Sequence, residues 1–175
     1  MIKREGFAVW ITGLPGSGKS SVTRELVALL AAEGMLPVVL ESDVLRTILT
    51  PEPTYREDER DRFYHQLAGL GRMLVQQGFP ALLDATANRR SYRDRARASI
   101  SRFIEVHVKC PLEVCRARDP KGIYAAAGRG EAANVPGVQA AYEEPLSAEV
   151  TIDHRESPAA GAARVLSRLR GLGWI

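Results

Sequence analysis

The 175-residue sequence has few of the features that mark secreted or membrane proteins. Its two cysteines, Cys110 and Cys115, are too few for a disulfide framework and lack a metal-ligand pattern, so we expect them to serve in packing. It has no run of 18 apolar residues, which excludes a membrane-spanning helix. Its first apolar run is broken by Thr12 and a glycine-rich stretch, which argues against a signal peptide. We therefore expect a cytoplasmic protein that binds no membrane.

The sequence also lacks a large excess of either basic or acidic residues. There are 24 basic and 21 acidic residues, a formal net charge of +3. This mild excess suits small anionic substrates, whereas a nucleic-acid surface would need a concentrated basic patch. We therefore expect no nucleic-acid partner. The length and the hydrophobic content of 45% are typical of one globular domain, here residues 1–175, without internal repeats or a linker.

The most informative stretch lies near the start of the chain. The apolar run Phe7 to Ile11 predicts a buried strand, and periodic apolar residues from Val22 onward predict a helix. Between them the sequence fits G-x-x-x-x-G-K-[ST], in which glycines let backbone N–H groups point at phosphate oxygens. An ordinary glycine-rich turn is the alternative, but the strand before and the helix after favour a phosphate-binding loop. The predicted ATP-binding residues are Gly13, Leu14, Pro15, Gly16, Ser17, Gly18, Lys19, Ser20 and Ser21.

Two residues of this loop have predicted chemical roles. Lys19 can reach the β- and γ-phosphates, and the Ser20 hydroxyl can hold Mg²⁺. Further strands are predicted at 36–40, 79–86, 103–109 and 148–153, with helices between them. This alternation predicts an α/β protein of the P-loop NTPase type: a three-layer α/β/α sandwich with a five-stranded parallel sheet.

Acidic residues follow two of the predicted strands. In such sheets ligands bind at the carboxyl ends of the strands, so Asp43 and Asp84 are candidate site residues. Asp43 could accept the proton of an acceptor hydroxyl or hold Mg²⁺ through water; the alternative is a helix N-cap. Asp84 ends an apolar strand, where a Walker-B carboxylate orients the water shell of the metal.

Basic residues occur in three groups. Arg46 lies one turn after Asp43 and should face the same cleft, whereas the charges of residues 57–62 mostly predict a solvated helix face. Five arginines between 89 and 97 cannot all face a cleft, so we expect most at the surface. Residues 118–140, basic at first and then rich in Ala and Gly, predict a lid over phosphates. His107 has no visible catalytic partner and is interpreted as a core or surface histidine.

Two later strings resemble the adenylylsulfate (APS) kinase family. They are A-R-D-P-K-G-I-Y at 117–124 and Y-E-E-P at 142–145, and with the phosphate loop the similarity covers almost the whole chain. The resemblance implies transfer of the ATP γ-phosphate to the 3′-hydroxyl of adenylylsulfate, with ATP and Mg²⁺ and usually in a homodimer. By this resemblance, Lys19 neutralises the transferred phosphoryl group and Asp43 orients or deprotonates the acceptor hydroxyl. Arg46 and Arg60 hold the acceptor's anionic group, and Arg118 closes over the ATP phosphates.

The match is uneven on the acceptor side. Tyr55 stands where the family has the aromatic that stacks on the substrate adenine, while Phe63 replaces an asparagine that bonds the substrate. Thr86 begins the segment that aligns with the family's I-S-P. Val135 lies in a lid stretch that lacks a lysine and a second stacking aromatic of the family pattern. The predicted acceptor site therefore comprises Asp43, Arg46, Tyr55, Arg60, Phe63, Thr86 and Val135.

Other functions stay open at this point. Because the departures cluster on the acceptor side, a kinase of the same fold could phosphorylate a different hydroxyl compound, such as another nucleotide-linked metabolite. A nucleotide-driven switch is disfavoured, since the N-K-x-D base-recognition string of G proteins is missing. A kinase of nucleic-acid ends is disfavoured by the low net charge.

Overall fold

Five parallel strands form the centre of the molecule. The structure, a computed structural model, describes residues 5–175. The strands are β1 (Ala8–Thr12), β2 (Val38–Glu41), β3 (Ala81–Asp84), β4 (Phe103–Lys109) and β5 (Val150–Asp153). They pair in the order β2-β3-β1-β4-β5. Together with the seven helices in the described part of the chain, this confirms the predicted α/β class and the five-stranded parallel sheet.

Helices cover both faces of the sheet. They are α1 (Lys19–Ala32), α2 (Ser42–Leu49), α3 (Glu57–Gln76), α4 (Arg90–Ser99), α5 (Leu112–Arg118), α6 (Ile123–Gly128) and α7 (Pro158–Gly171). Successive side chains of a strand point to opposite faces, so Val9 and Ile11 pack under α1 and α7, while Ala8 and Trp10 pack under α3 and α4. The two apolar clusters share one sheet and give the three predicted layers.

The carboxyl ends of the central strands meet at one edge of the sheet. Ile11 is in register with Asp84, and Asp84 is in register with Glu41. In the order of strands, β2 and β3 lie on one side of β1, and β4 and β5 lie on the other side. Ligands of parallel sheets bind where the strand order reverses in this way. The phosphate loop therefore begins beside Asp84.

Most element boundaries agree with the sequence, and the differences have local causes. Proline lacks an N–H and cannot donate to a ladder, so β2 begins at Val38 and β3 at Ala81, each just after a proline. The sequence predicts the short helix after β2 over 44–49, but α2 begins at Ser42, so Asp43 lies in its first turn. The N-cap position belongs to Glu41, and its side chain makes no capping hydrogen bond. The N-cap interpretation of Asp43 is therefore wrong.

The predicted lid packs through a small apolar cluster of its own. Cys110, Cys115, Tyr124 and Val135 are buried together between the phosphate loop and α6. Both cysteines are free thiols, which confirms their predicted packing role. The residues described contain no helix that is long and apolar enough to cross a membrane.

Strand β4 carries a buried histidine, as one of the two sequence interpretations expected. His107 is 5% exposed, and its ring lies 6.1 Å from that of Tyr142. Burial, with the nearby charges of Lys109 and Arg93, lowers its pKa to about 4, although Glu144 opposes the shift. The folded state therefore binds fewer protons at this site than the unfolded state does between about pH 4 and 6.5.

We expect this histidine to make stability depend on pH. Its contribution is fully present above the unfolded pKa of 6.5 and is lost as the pH falls toward 4. Between pH 7 and pH 5 the free energy of unfolding should fall by roughly 2 kcal/mol from this group. His107→Gln should remove most of that dependence in urea denaturation, while the same change at the exposed His65 should leave it intact. Equal pH dependence in both variants would contradict the assignment.

Candidate functional site

The phosphate loop joins β1 to α1 with a backbone that requires glycine. Gly16 and Gly18 have φ angles of 76° and 106°, in the left-handed region that favours glycine. At Gly13 the constraint is space, because a Cβ would lie 2.6 Å from the carbonyl oxygen of Val108. The loop ends at the N-terminus of a 14-residue helix, where free N–H groups and the helix dipole favour an anion.

Lys19 lies folded over this loop. Its ammonium donates to the carbonyl oxygens of Gly13 (3.1 Å) and Leu14 (3.0 Å). Burial lowers its pKa, and the negative charges of Asp84 and Asp43 oppose that shift. Ser17 contributes a further polar group: its hydroxyl is buried and has no partner among residues 5–175. A buried hydroxyl without a partner is costly, which fits a loop that receives a polar ligand.

The two predicted acids have different surroundings. Asp84 is buried, and its carboxylate accepts a hydrogen bond from the Thr23 hydroxyl at 3.3 Å. Asp43 is exposed and forms an ion pair with Lys121, which comes from the lid 78 residues later. This hydrogen bond is the main reason that the pKa of Lys121 is raised. Both carboxylates therefore lie near the phosphate loop, one fixed and one reached by the lid.

One cleft contains most of the predicted ATP-side residues. It has a volume of about 610 Å³ and opens at the carboxyl edge of the sheet. Its walls include Lys19, Ser20, Asp43, Asp84, Thr86 and Arg118. The described residues contain no cluster of three or more metal-ligating His, Cys, Asp or Glu side chains. Mg²⁺ in nucleotide sites needs none, because substrate phosphates and water supply most of its ligands. One hydroxyl and two nearby carboxylates fit that requirement.

Arg46 is buried against aromatic rings and does not extend freely into the cleft. Its guanidinium carbon lies 3.9 Å from the ring centre of Phe63 and 5.0 Å from that of Tyr55. Its Nη1 pairs with Glu59 at 3.2 Å. Burial alone would raise the pKa of Glu59, but hydrogen bonds from the Thr54 hydroxyl and from the backbone N–H groups of Thr54 and Tyr55 lower it. Arg46 is thus neutralised, stacked and fixed in position.

Arg60 is equally buried but has only neutral partners. It donates to the backbone oxygen of Tyr55 (2.9 Å), to Oδ1 of Asn88 (3.0 Å) and to the backbone oxygen of Asn134 (2.6 Å). Across residues 5–175, no carboxylate forms a salt bridge with it. Burial lowers its pKa, and the neighbouring charge of Arg46 acts in the same direction. A buried cation without a counter-ion favours the binding of an anion.

The remaining predicted acceptor residues separate into two groups. Tyr55 is 38% exposed, with a positive φ of 56°, and Thr86 lines the cleft. Phe63 and Val135 are buried, at 0% and 2% exposure, and therefore lie behind the surface that a ligand would touch. Phe63 supports Arg46, and Val135 packs in the lid cluster.

Arg118 lies at the end of α5, on the lid side of the cleft. Its Nη2 donates to the backbone oxygen of His154 at 3.3 Å, and Nη1 approaches the sulfur of Cys110 at 3.8 Å. The guanidinium therefore bridges the lid and the segment after β5. Its role over the ATP phosphates stays a prediction.

Three residues that organise the site were missed in the sequence. Glu59 was grouped with a solvated helix face, yet it is 7% exposed and holds Arg46. Arg93, within a group expected mostly at the surface, is 1% exposed and binds Glu105 and the backbone of Ala87 after β3. Lys121 was noted only as part of a basic segment. Glu59 and Arg93 stand in charged strings, where the sequence does not distinguish them from their exposed neighbours. Lys121 lies in the string 117–124 that carries the family resemblance, and that string could have singled it out.

Comparison with known proteins identifies relatives over almost the whole chain. The family model described as Adenylylsulphate kinase matches residues 5–153. An adenylyl-sulfate kinase of Microcystis aeruginosa is 37% identical over 175 residues, which cover 99% of this chain and 97% of that protein.

Two solved structures are similar as well. The Mycobacterium tuberculosis APS kinase in complex with AMPPNP and APS has a TM-score of 0.90 and 31% identity, covering 95% of this chain and 98% of that one. The hexameric APS kinase from Thiobacillus denitrificans has a TM-score of 0.73 and 25% identity, covering 99% of this chain and 30% of that one.

A comparison of two glycines, one inside the phosphate loop and one outside it, tests the role of the loop. Gly18 and Gly34 both have positive φ with open space around the missing Cβ, but only Gly18 lies in the loop. We expect Gly18→Ala and Gly34→Ala each to cost about 1 kcal/mol of stability. Only Gly18→Ala should weaken binding of a non-hydrolysable ATP analogue, by about tenfold or more, because it reorients the loop N–H groups. Calorimetric titration with parallel urea denaturation measures both, and equal affinities in the two variants would refute the assignment.

Proposed function

Because the chain belongs to the adenylylsulfate kinase family, we propose that it transfers the γ-phosphate of ATP to the 3′-hydroxyl of adenylylsulfate, giving 3′-phosphoadenylylsulfate and ADP. Membership of this family makes the protein an ATP-dependent kinase. The observation that carries the proposed site is that the cleft of the phosphate loop also contains Asp43 and Thr86, and that two buried arginines lie behind these residues. Arg46 is on the same helix as Asp43, and Arg60 bonds Asn88, two residues after Thr86.

On the ATP side, the backbone from Gly13 to Ser21 would surround the phosphates. The N–H groups at the start of α1 face the cleft. Lys19 would exchange its hydrogen bonds to two carbonyl oxygens for contacts with the β- and γ-phosphates. Its charge would then oppose the negative charge that develops on the transferred phosphoryl group.

The metal ion that such kinases use would be held by the Ser20 hydroxyl, with Asp43 and Asp84 acting on its water shell. When bound, Mg²⁺ supplies charge neutralisation for the β- and γ-phosphates. The chain contributes the placement of the ligands. Asp84 is fixed by Thr23 and by the strand register, while Asp43 is exposed enough to rotate in the first turn of α2.

Asp43 is also the proposed orienting group or base for the acceptor hydroxyl. It is exposed in the cleft, and it lies three residues before Arg46 on the same helix. Residues three apart on a helix share a face, so an acceptor held by Arg46 would present its hydroxyl near the Asp43 carboxylate. Catalysis would depend mainly on this positioning.

The anionic group of the acceptor would bind between Arg46 and Arg60. Arg60 supplies the uncompensated charge, because its partners among the described residues are neutral oxygens. Arg46 supplies a rigid edge, since Glu59 and the ring of Phe63 fix its plane. The exposed ring of Tyr55 would stack on the adenine. In this arrangement Phe63 and Val135 shape the site from behind, and Thr86 forms its wall next to the phosphate loop.

Two further parts of the proposal concern the movement of Arg118 and the oligomeric state of the protein. Arg118 would close over the ATP phosphates when the segment 118–140 moves, exchanging its bond to His154 for the nucleotide. We propose a homodimer as the working unit in the cytoplasm. A hexameric relative of similar fold supports self-association in general terms.

The reaction itself tests the proposal. Purified protein with Mg·ATP and adenylylsulfate should release ADP much faster than a control without acceptor, and chromatography should show a 3′-phosphorylated product. Lys19→Ala should lower the rate by about a hundredfold or more, because it removes the charge that faces the transferred group. Release of ADP no faster than in the control would mean that this kinase phosphorylates a different hydroxyl compound.

The acceptor site has its own prediction. Arg60→Gln should raise the KM for adenylylsulfate by about ten- to a hundredfold, since it removes hydrogen bonds to a charged group, and should change the KM for ATP little. Arg62→Gln is a matched control on the same helix, because Arg62 is exposed and pairs only with Asp58 at 3.7 Å among the residues described. Steady-state kinetics with each substrate varied would decide, and an unchanged KM for adenylylsulfate in Arg60→Gln would remove Arg60 from the site.

A further inference from the structure

The ion pair between Asp43 and Lys121 joins helix α2 to the predicted lid. Asp43 lies in the first turn of α2, and Lys121 lies in the short turn between α5 and α6. Both side chains line the cleft that contains Lys19 and Asp84. The lid ammonium thus contacts the carboxylate to which we assign metal and acceptor chemistry.

The turn that carries Lys121 is held firmly. The N–H of Gly122 donates to the Asp119 carbonyl at 3.0 Å, and the Asp119 carboxylate accepts from the N–H groups of Tyr124 (3.2 Å) and Ala125 (2.9 Å). The Tyr124 hydroxyl donates to the carbonyl oxygen of Pro15 in the phosphate loop at 2.8 Å. The position of the lysine backbone is therefore coupled to the loop that receives ATP.

The ion pair itself is weak and easily exchanged. Each of its side chains is 60% exposed, and exposed pairs contribute little to stability because water and salt screen them. The acids nearby are Glu41, Asp43 and Asp84, whereas the ammonium of Lys19 is turned toward two carbonyl oxygens of the loop. Lys121 is thus the cation in direct contact with Asp43 among the residues described. A divalent cation at the same acids would compete with it through its higher charge.

We propose that Lys121 is a resident counter-ion of the metal site: it occupies Asp43 in the nucleotide-free protein and leaves when a divalent cation arrives. This inference rests on the proposed function, since it takes Asp43 as a metal-positioning residue. Release of Lys121 removes a contact between the turn 119–122 and α2, while the bonds of Asp119 and Tyr124 keep the turn itself intact. Lys121 is then a positioning residue that acts through Asp43.

Metal binding without nucleotide tests the proposal directly. Mn²⁺, detected by electron paramagnetic resonance, stands in for Mg²⁺. Lys121→Met should bind Mn²⁺ roughly two- to fivefold more tightly than the wild type, because the tethered competitor has gone. Lys121→Arg keeps the charge and should bind nearly as the wild type does. Lys109→Met is the matched control, since Lys109 is exposed and pairs with Glu144 at 3.6 Å, outside the cleft.

A double-mutant cycle separates competition at Asp43 from a general change in the lid. In an Asp43→Asn background, Lys121→Met should no longer tighten Mn²⁺ binding. Equal or weaker Mn²⁺ affinity in Lys121→Met, including no detectable binding by either protein, would overturn the proposal. Adenylylsulfate is absent from these titrations, so the Mn²⁺ affinities can be interpreted even if the protein does not phosphorylate adenylylsulfate.

Discussion

The parallel pairing of β1 with β3 is the constraint on which the site depends. It sets Ile11 beside Asp84, so the phosphate loop, which begins two residues after Ile11, opens next to a buried carboxylate. The pairing of β3 with β2 then places Glu41 and the first turn of α2 at the same edge. A slip of one residue in either ladder would turn Asp84 to the opposite face of the sheet. The chemistry of the edge therefore follows from hydrophobic strands whose own side chains take no part in it.

At this edge of the sheet some cations are paired with carboxylates and others are held only by neutral atoms. Arg46 is paired with Glu59 and stacked, and Lys121 is paired with Asp43, so neither presents a full free charge. Lys19 and Arg60 are held by neutral oxygen atoms instead. A neutral partner satisfies hydrogen bonds but leaves the charge, so these two cations define where anions are attracted most strongly. Lys19 lines the cleft, whereas Arg60 lies outside its lining and bonds Asn88, two residues after the cleft residue Thr86.

Much of the fold could be predicted because it depends on local periodicity. The bounds of β4 were predicted without error, and both cysteines were correctly assigned to packing. The boundary errors were local ones, as at Ser42, where α2 begins directly after the last residue of β2 and two residues earlier than expected. The contacts of individual side chains were harder to predict than the bounds of strands and helices. Nothing in the string Glu57-Asp58-Glu59 tells that the third acid turns inward to Arg46, since the choice depends on a loop and a helix that only the folded chain brings together.

Phe63 shows that a residue that departs from the family pattern can have a structural role of its own. Phe63 stands where the family pattern has a substrate-binding asparagine, and that difference taken alone suggests one hydrogen bond fewer to the substrate. In the fold its ring packs against Arg46, with the ring centre 3.9 Å from the guanidinium carbon, so Phe63 fixes the plane of the guanidinium. Glu59 holds the guanidinium through a salt bridge at 3.2 Å. If Arg46 binds the acceptor as proposed, its rigidity would offset part of the missing hydrogen bond, because less conformational entropy would be lost when an anion binds. Departures that lie behind the binding surface are therefore weaker grounds for a different acceptor than the same departures would be on the surface itself.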